Sequence, residues 1–169
     1  DSDDFSFPNR CEKLLEIFNK NPEYAVVGSF EAEFENSVNN IIAVHRVPET
    51  PDDIKKFMKR RCALLHPTVM YKKSIVINCG NYQDVRLYED YDLFLRLVIQ
   101  NEVKCYNIQE NLYCIRINDG FFKRRGGISY LITSVGFKWT QYKNSYITIG
   151  DFLISGGSQA IVCLIPNFM

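Results

Sequence analysis

Short apolar segments of strand length alternate along this chain with helical patterns, and this alternation constrains the fold more than any other feature. Strands are predicted at residues 24–30, 64–71, 103–108 and 112–117, with a polar turn at residues 109–111 between the last two. The first strand is predicted to extend past residue 31, to turn at residues 35–40 and to pair with a returning strand at residues 41–44. Elsewhere, apolar residues recur at the spacing of a buried helical face. This irregular alternation predicts an α/β fold rather than an all-helical one.

Six helices are predicted. The first follows Pro8, and its buried face is predicted to hold Cys11, Leu14, Leu15 and Phe18. The second follows the capping residue Thr50, a short one at residues 73–78 ends at Gly80, and the fourth begins at Glu89. The fifth follows the glycines at residues 126–127 and has Ile128, Leu131, Ile132, Val135 and Trp139 on one side. In the tail, residues 147–169 predict an apolar helix that is interrupted at Gly156 and Gly157.

Composition limits the functional classes. Lys+Arg and Asp+Glu both number 20, and the resulting zero net charge gives no support to bulk nucleic-acid binding. No apolar stretch approaches the length of about 18 residues that a transmembrane helix needs. The six cysteines form no C-x-x-C pair, which argues against a zinc site and favours a reduced, cytosolic chain over a disulfide framework.

The first four residues include three carboxylates, Asp1, Asp3 and Asp4. Carboxylates this close repel one another unless a cation lies among them. Their oxygens are hard ligands that suit Mg²⁺, Mn²⁺ or Ca²⁺. On their own, these residues permit two interpretations: an acidic terminus that caps the helix after Pro8, or a metal site.

Several motifs follow one another in a fixed order. The acidic cluster precedes Val-Val-Gly-Ser, His-Pro-Thr-Val-Met, Gly-x-Tyr and Glu-Asp-Tyr-Asp-Leu-x-Leu-Arg-Leu. Together they resemble the family-2 glycosyltransferases, which have the GT-A fold, strongly over residues 1–117 and more weakly to residue 169. The resemblance implies the C-terminal, acceptor-side portion of a GT-A nucleotide-diphospho-sugar transferase fold in residues 1–117, with a mixed sheet and flanking helices. Residues 118–169 would then form a C-terminal helical extension.

The resemblance also implies a role for each candidate residue. Asp1 and Asp3 match the family's D-x-D motif, which holds Mg²⁺ or Mn²⁺ on the diphosphate of the donor. Asp90 matches the catalytic base that deprotonates the acceptor hydroxyl, and Glu89 would orient either Asp90 or the acceptor. His66 would serve in positioning or packing.

Two further segments are compared with the family: a basic loop that resembles it and an Arg-x-Asn sequence that differs from it. Arg124 and Arg125 resemble a basic stretch of some members, and they either contact a diphosphate or lie in a solvated loop. Many members have Arg-x-His where this chain has Arg116, Ile117 and Asn118, so a third protein ligand to the metal is in doubt.

The implied function is an inverting, metal-dependent glycosyltransferase of surface polysaccharide biosynthesis. It would use a nucleotide-diphosphate sugar donor and a saccharide or lipid-linked acceptor. It would work in the cytoplasm at the inner membrane face, with peripheral membrane contact through residues 147–169. The family's nucleotide-binding half precedes the D-x-D motif and is absent, so we expect this chain alone to be inactive and residues 1–4 to be loosely held. The alternatives are a non-catalytic interaction module and, ranked last, a hydrolase that uses Asp3 and Asp90.

Overall fold

Strands and helices alternate in the computed structural model, which describes residues 3–118 and 127–164. The strands are β1 (Phe5–Ser6), β2 (Val26–Phe34), β3 (Ile41–His45), β4 (Met70–Tyr71) and β5 (Cys105–Arg116). The helices are α1 (Arg10–Lys20), α2 (Pro51–Met58), α3 (Lys73–Asn78), α4 (Glu89–Leu95), α5 (Ile128–Lys143) and α6 (Ile149–Leu164). A 3-10 turn, His66–Thr68, precedes β4, and a π-helical turn, Arg96–Gln100, continues α4.

The strands form one mixed sheet in the order β1-β5-β2-β3, and β4 also pairs with β2. β2 and β5 are parallel, whereas the remaining pairs are antiparallel. Every residue of β2 is buried, because this strand has neighbours on both sides and helices over it. The predicted α/β class, with a mixed sheet and flanking helices, is confirmed.

β5 is a single strand, so the prediction of two strands joined by a turn is wrong. Its register with β2 passes from Ser29 opposite Ile108 to Phe30 opposite Asn111, which marks a bulge. The polar residues that predicted a turn, residues 109–111, lie at this bulge. Gln109 donates hydrogen bonds to two carbonyl oxygens, and Glu110 pairs with a lysine of α1.

The segment that follows α2 also differs from the prediction. Residues 64–71 contain the 3-10 turn and the two residues of β4 rather than one continuous strand. Gly28 explains how the turn packs closely on β2: a Cβ there would lie 2.4 Å from Oδ1 of Asn107 and 3.3 Å from Oγ1 of Thr68. Thr68 Oγ1 in turn accepts a hydrogen bond of 3.2 Å from the backbone N–H of Ser29. The close approach at Gly28 is therefore made by other segments of the chain itself.

The acidic N-terminal segment does not cap a helix, so that interpretation is wrong. Asp3 and Asp4 lead into β1, and α1 begins only at Arg10. On α1, Leu14 is buried, but Leu15, which was predicted to be buried, is half exposed. Ile17 instead packs with Leu14 against β2 and β5.

The main core lies around α4. Its apolar residues pack against α2 and β2, and the cluster includes Ile54, Met58, Leu93, Phe94 and Val26. α5 joins the same core through Phe137, whose ring stacks on Tyr88 at a centroid distance of 4.5 Å.

The described tail is helical. Thr148 caps α6 by accepting a hydrogen bond of 3.1 Å from the backbone N–H of Asp151. α6 then runs without a break through Gly156 and Gly157, so the predicted interruption is wrong. None of the helices in the described ranges combines the length and apolar character required to cross a membrane.

Candidate functional site

The acidic segment is fixed to one end of the sheet by Arg116 and Tyr113 of β5. The Asp4 carboxylate accepts a hydrogen bond of 2.9 Å from the backbone N–H of Arg116 and one of 3.0 Å from the Tyr113 hydroxyl. The Arg116 guanidinium donates to the carbonyl oxygens of Asp3 and Glu35. The expectation that this segment is loosely held is therefore wrong for Asp3 and Asp4.

Asp3 differs from Asp4 in its exposure. Its side chain is exposed, whereas Asp4 is half-buried against β5. Asn118, the residue that replaces the histidine of Arg-x-His, is exposed two residues beyond Arg116, at the same end of the sheet. Asp1 lies outside the described residues, so its position relative to Asp3 stays a prediction.

Arg10 links the acidic segment to the His-Pro turn. Its guanidinium carbon lies 5.3 Å from the centre of the Tyr113 ring. Its Nε donates to Ser6 Oγ at 2.9 Å, and its Nη1 donates to the carbonyl oxygen of Pro67, also at 2.9 Å. The first residue of α1 therefore joins β1, β5 and the 3-10 turn.

His66 begins that turn and meets the loop before α4. Its Nε2 lies 2.9 Å from the hydroxyl oxygen of Tyr82, and the two rings are arranged edge to face. Burial, a hydrogen bond with Tyr71 and the charges of Asp90 and Glu89 together raise the pKa of Tyr82. Tyr82 therefore keeps its proton in alkaline solution, and it contacts the predicted positioning residue His66.

Asp90 and Glu89 form the first turn of α4, as predicted. Asp90 is half-buried, and its Oδ1 accepts a hydrogen bond of 2.7 Å from the backbone N–H of Tyr91. Glu89 is exposed. A carboxylate that keeps one face accessible while its orientation is fixed by a backbone donor can accept a proton from a bound hydroxyl group.

The remaining polar residues of the α4 motif hold the helix in place. Arg96 Nε donates to Asp92 Oδ2 at 2.8 Å, and its other nitrogens donate to the carbonyl oxygens of Cys79 and Asn81. Since Asn81 directly precedes Tyr82, Arg96 connects α4, whose first turn contains Asp90, to the loop that contains Tyr82.

A buried lysine of α5 supports α4 from the other side. Lys138 Nζ donates to the Tyr91 hydroxyl at 2.8 Å and to the carbonyl oxygen of Arg60 at 3.1 Å. Burial lowers the pKa of Lys138 to about 8, although Cys62 and Asp151 act in the opposite direction. Burial raises the pKa of the neighbouring Cys62 to about 12, so this thiol stays protonated.

The structure brings together part of the predicted set. Asp4 and His66 are connected by contacts that run through Tyr113, Arg10 and Pro67, and His66 in turn contacts Tyr82. Burial and the charges of Asp90 and Glu89 raise the pKa of Tyr82. Tyr113, Arg10 and Tyr82 were not among the predicted site residues. Of these, Tyr82 had a signal in the sequence, because it is the tyrosine of the Gly-x-Tyr motif. Arg124 and Arg125 lie outside the described residues, and their predicted contacts are not tested.

Asp3 is an exposed carboxylate that this end of the sheet offers to a metal ion. Within residues 3–118 and 127–164, no three His, Cys, Asp or Glu side chains are grouped so that they could hold an ion. The engagement of Asp4 by β5, with Asp3 exposed beside it, fits a donor pair of Asp1 and Asp3. The carboxylate chemistry of that pair suits Mg²⁺ or Mn²⁺.

Comparison with known proteins gave relatives but no family model that matches the chain. A Haemophilus influenzae protein named as an uncharacterized glycosyltransferase is 37% identical over 156 residues, which cover 92% of this chain and 56% of that protein. The UDP-Gal:alpha-D-GlcNAc-diphosphoundecaprenol beta-1,3-galactosyltransferase of Escherichia coli is 34% identical over 167 residues, 99% of this chain and 60% of that enzyme. The amylovoran biosynthesis glycosyltransferase AmsE of Erwinia amylovora is 28% identical over 135 residues, 80% of this chain and 50% of AmsE.

The chain thus spans between 50% and 60% of the length of these relatives. Each of them is named a glycosyltransferase, and two act, by name, in the synthesis of a lipid-linked glycan or of amylovoran. Over 92% and 99% of its own length, the chain is therefore similar to two proteins that are named glycosyltransferases.

Proposed function

We propose that the protein transfers a sugar from a nucleotide-diphosphate donor to a saccharide or lipid-linked acceptor in surface polysaccharide biosynthesis. The observation that carries the proposal is the series of contacts from Asp4 to His66 and Tyr82, whose pKa is raised by burial and by the Asp90 charge, in a chain whose relatives are named glycosyltransferases. Asp3 and Asp4, at one end of this series, suit a donor diphosphate and its metal. Asp90, whose charge acts on Tyr82 at the other end, suits an acceptor hydroxyl.

Asp90 acts as the general base in this proposal. It takes the proton of the acceptor hydroxyl as that oxygen attacks the anomeric carbon, and the bond to the nucleoside diphosphate breaks with its electron pair on the diphosphate oxygen. A single displacement of this kind inverts the configuration at the anomeric carbon. Tyr82, which stays protonated beside Asp90, donates a hydrogen bond that positions the acceptor or His66.

Asp3 would hold the divalent cation together with Asp1. A bound Mg²⁺ or Mn²⁺ supplies positive charge that stabilises the departing diphosphate. Arg116 keeps Asp3 at the end of the sheet through its hydrogen bond to the Asp3 carbonyl oxygen. Arg124 and Arg125 follow β5 in the sequence and are proposed to add positive charge near the same diphosphate.

The chain is proposed to be the acceptor-side part of a GT-A domain, with residues 118–169 as a C-terminal helical extension. The chain spans just over half of two longer relatives, and within the described residues two helices, α5 and α6, follow the last strand of the sheet. In that case the nucleotide base is bound by residues outside this chain, and the complete enzyme works at the inner face of the membrane.

The test is a transfer assay with the full-length protein, a set of nucleotide sugars and a lipid-linked or saccharide acceptor. We expect acceptor-dependent product with inverted anomeric configuration, loss of product with a chelator and its recovery with Mg²⁺ or Mn²⁺. Release of free sugar without an acceptor would identify a hydrolase instead. Absence of turnover with every donor would favour a non-catalytic interaction module.

A further inference from the structure

The outer faces of α5 and α6 present an apolar surface that the rest of the described chain leaves uncovered. It consists of large side chains that are between 42% and 72% exposed: Ile128, Ile132, Trp139, Ile149, Leu153, Ile154 and Ile161. We call this set the α5–α6 surface. Isolated exposed apolar residues are ordinary in proteins. Seven exposed apolar residues on two adjacent helices form a patch of the kind that marks an interaction site.

The helical spacing places five of these residues on two faces, one on each helix. Ile128, Ile132 and Trp139 are four and seven residues apart in turn, so they lie along one side of α5. Ile149 and Leu153 are likewise one turn apart on α6. The Trp139 ring lies 5.5 Å from the ring of Phe152, which brings the two helices into contact at the tryptophan.

The charges around the surface favour an anionic partner. Over residues 128–164 the sequence has one acidic residue, Asp151, and this is buried and paired with Arg60 at 2.7 Å. The accessible faces of α5 and α6 therefore carry no negative charge that would repel anionic groups. Lys143 is exposed at the end of α5, with its Nζ 5.7 Å from the centre of the Trp139 ring.

The residue types favour lipid over a protein partner. Protein interfaces combine apolar anchors with hydrogen-bonding groups, about one hydrogen bond per 100–200 Å². The α5–α6 surface consists of six aliphatic side chains and one tryptophan, and the exposed Lys143 lies beside the tryptophan. This is the pattern of helices that lie in the boundary between headgroups and acyl chains, where tryptophan and lysine mark the depth of insertion.

We propose that the α5–α6 surface docks the protein, in the plane of the membrane, on a bilayer that contains anionic lipids. The proposal extends the predicted contact of residues 147–169 to α5, and it rests on the proposed function in that a lipid-linked acceptor would be met at the bilayer. Asp90 lies on α4, which α5 contacts through Lys138 and Tyr91. Docking through α5 would therefore hold the candidate base at a constant distance from the membrane.

The chain provides its own probe, since Trp139 is its one tryptophan. The experiment adds vesicles of phosphatidylglycerol and phosphatidylethanolamine to the full chain and records tryptophan emission. We expect a shift to shorter wavelength and quenching by bromine-labelled acyl chains, with a weaker response to vesicles of phosphatidylcholine alone. An emission spectrum unchanged by anionic vesicles would overturn the proposal, and this measurement needs no substitution.

Vesicle sedimentation then tests the individual side chains. The variant Ile132→Ser with Leu153→Ser should bind anionic vesicles more weakly by roughly tenfold for each residue, since each loses an aliphatic side chain from the acyl region. The matched control is Leu15→Ser with Ile77→Ser, which removes two aliphatic side chains that are 50% and 52% exposed on other helices. Circular dichroism and thermal unfolding of both variants verify that each folds.

Equal vesicle binding by the two double variants would contradict the proposal. So would a wild-type chain that is dimeric in solution, binds no vesicles and becomes monomeric on Ile132→Ser with Leu153→Ser, because the surface would then join two copies. Transfer to a water-soluble acceptor by the full-length protein is measured separately. Its loss would count against the proposed function, whereas vesicle binding reports only on the surface.

Discussion

Asp3 and Asp4 are adjacent in the sequence but differ in their surroundings. The Asp4 carboxylate is held by Tyr113 and Arg116, whereas the Asp3 side chain is exposed at the end of the sheet. Burial, followed by the hydrogen bond from Tyr113 to Asp4 and the Asp4 charge, raises the pKa of Tyr113 to about 12, so the tyrosine keeps donating at physiological pH. The acidic cluster was identified from the sequence, but only the contacts made by β5 distinguish the two carboxylates.

The first prediction concerns the hydroxyl group of Tyr82, which we expect to help position the acceptor. In the full-length protein, Tyr82→Phe removes the hydrogen bond with His66 and a hydroxyl group whose pKa is raised by burial and by the charges of Asp90 and Glu89. One hydrogen bond corresponds to roughly a three- to tenfold change in binding, so the KM for the acceptor should rise by that factor with little change in thermal stability. Tyr146→Phe is the control, because its hydroxyl bonds Gln100 at 2.6 Å. An acceptor KM affected equally by both variants would argue against a positioning role for Tyr82.

Lys138 gives a prediction about pH. Its pKa is lowered by burial from 10.5 to about 8, so between these pH values the unfolded chain binds more protons than the folded chain. The free energy of unfolding contributed by this group therefore rises with pH across that window. Relative to Lys138→Met, wild type should gain about 1 kcal/mol between pH 7 and pH 9, measured by urea unfolding. Parallel pH profiles for the two proteins would mean that the lysine is not perturbed in the fold.

At the scale of secondary-structure elements, α4 is the helix on which most of the candidate site depends. Its sequence motif predicted the helix and its apolar face, and Leu93, Phe94 and Leu97 are indeed buried. The motif's polar residues have partners far along the chain, since Arg96 bonds the carbonyl oxygens of Cys79 and Asn81. A local pattern cannot indicate such partners.

Arg96 tests how firmly α4 is held. Arg96→Met leaves the buried Asp92 carboxylate without its ion pair and leaves two carbonyl oxygens without donors. Removing one partner of a buried pair costs about 3–5 kcal/mol, and we expect a loss of this size in the free energy of unfolding. The control is Lys55→Met, which breaks an exposed pair with Glu102 and should cost no more than about 1 kcal/mol. Similar losses for both variants would show that Arg96 does not fix α4.

At the scale of the whole molecule, the sequence predicted the α/β class and the hairpin of β2 and β3. It also predicted the starts of α2 and α6, which are capped by Thr50 and Thr148. It failed at β5, because Gln109, Glu110 and Asn111 have the composition of a turn but occupy a bulge opposite β2. It also misplaced Leu15, since the spacing of apolar residues defines a helical face without defining which side meets the sheet. The links through Arg10 depend on contacts between distant segments, which only the folded chain brings together.

The central claim is that Asp90 deprotonates the acceptor in a glycosyl transfer, and Asp90→Asn in the full-length protein tests it most directly. A general base contributes roughly 10²- to 10⁴-fold, so the turnover number should fall by that factor while circular dichroism and the melting temperature stay the same. The matched control is Asp84→Asn, the same substitution at an exposed acid in the loop before α4, which should leave turnover unchanged. If Asp90→Asn transfers sugar to its acceptor at a rate close to that of wild type, Asp90 is not the base.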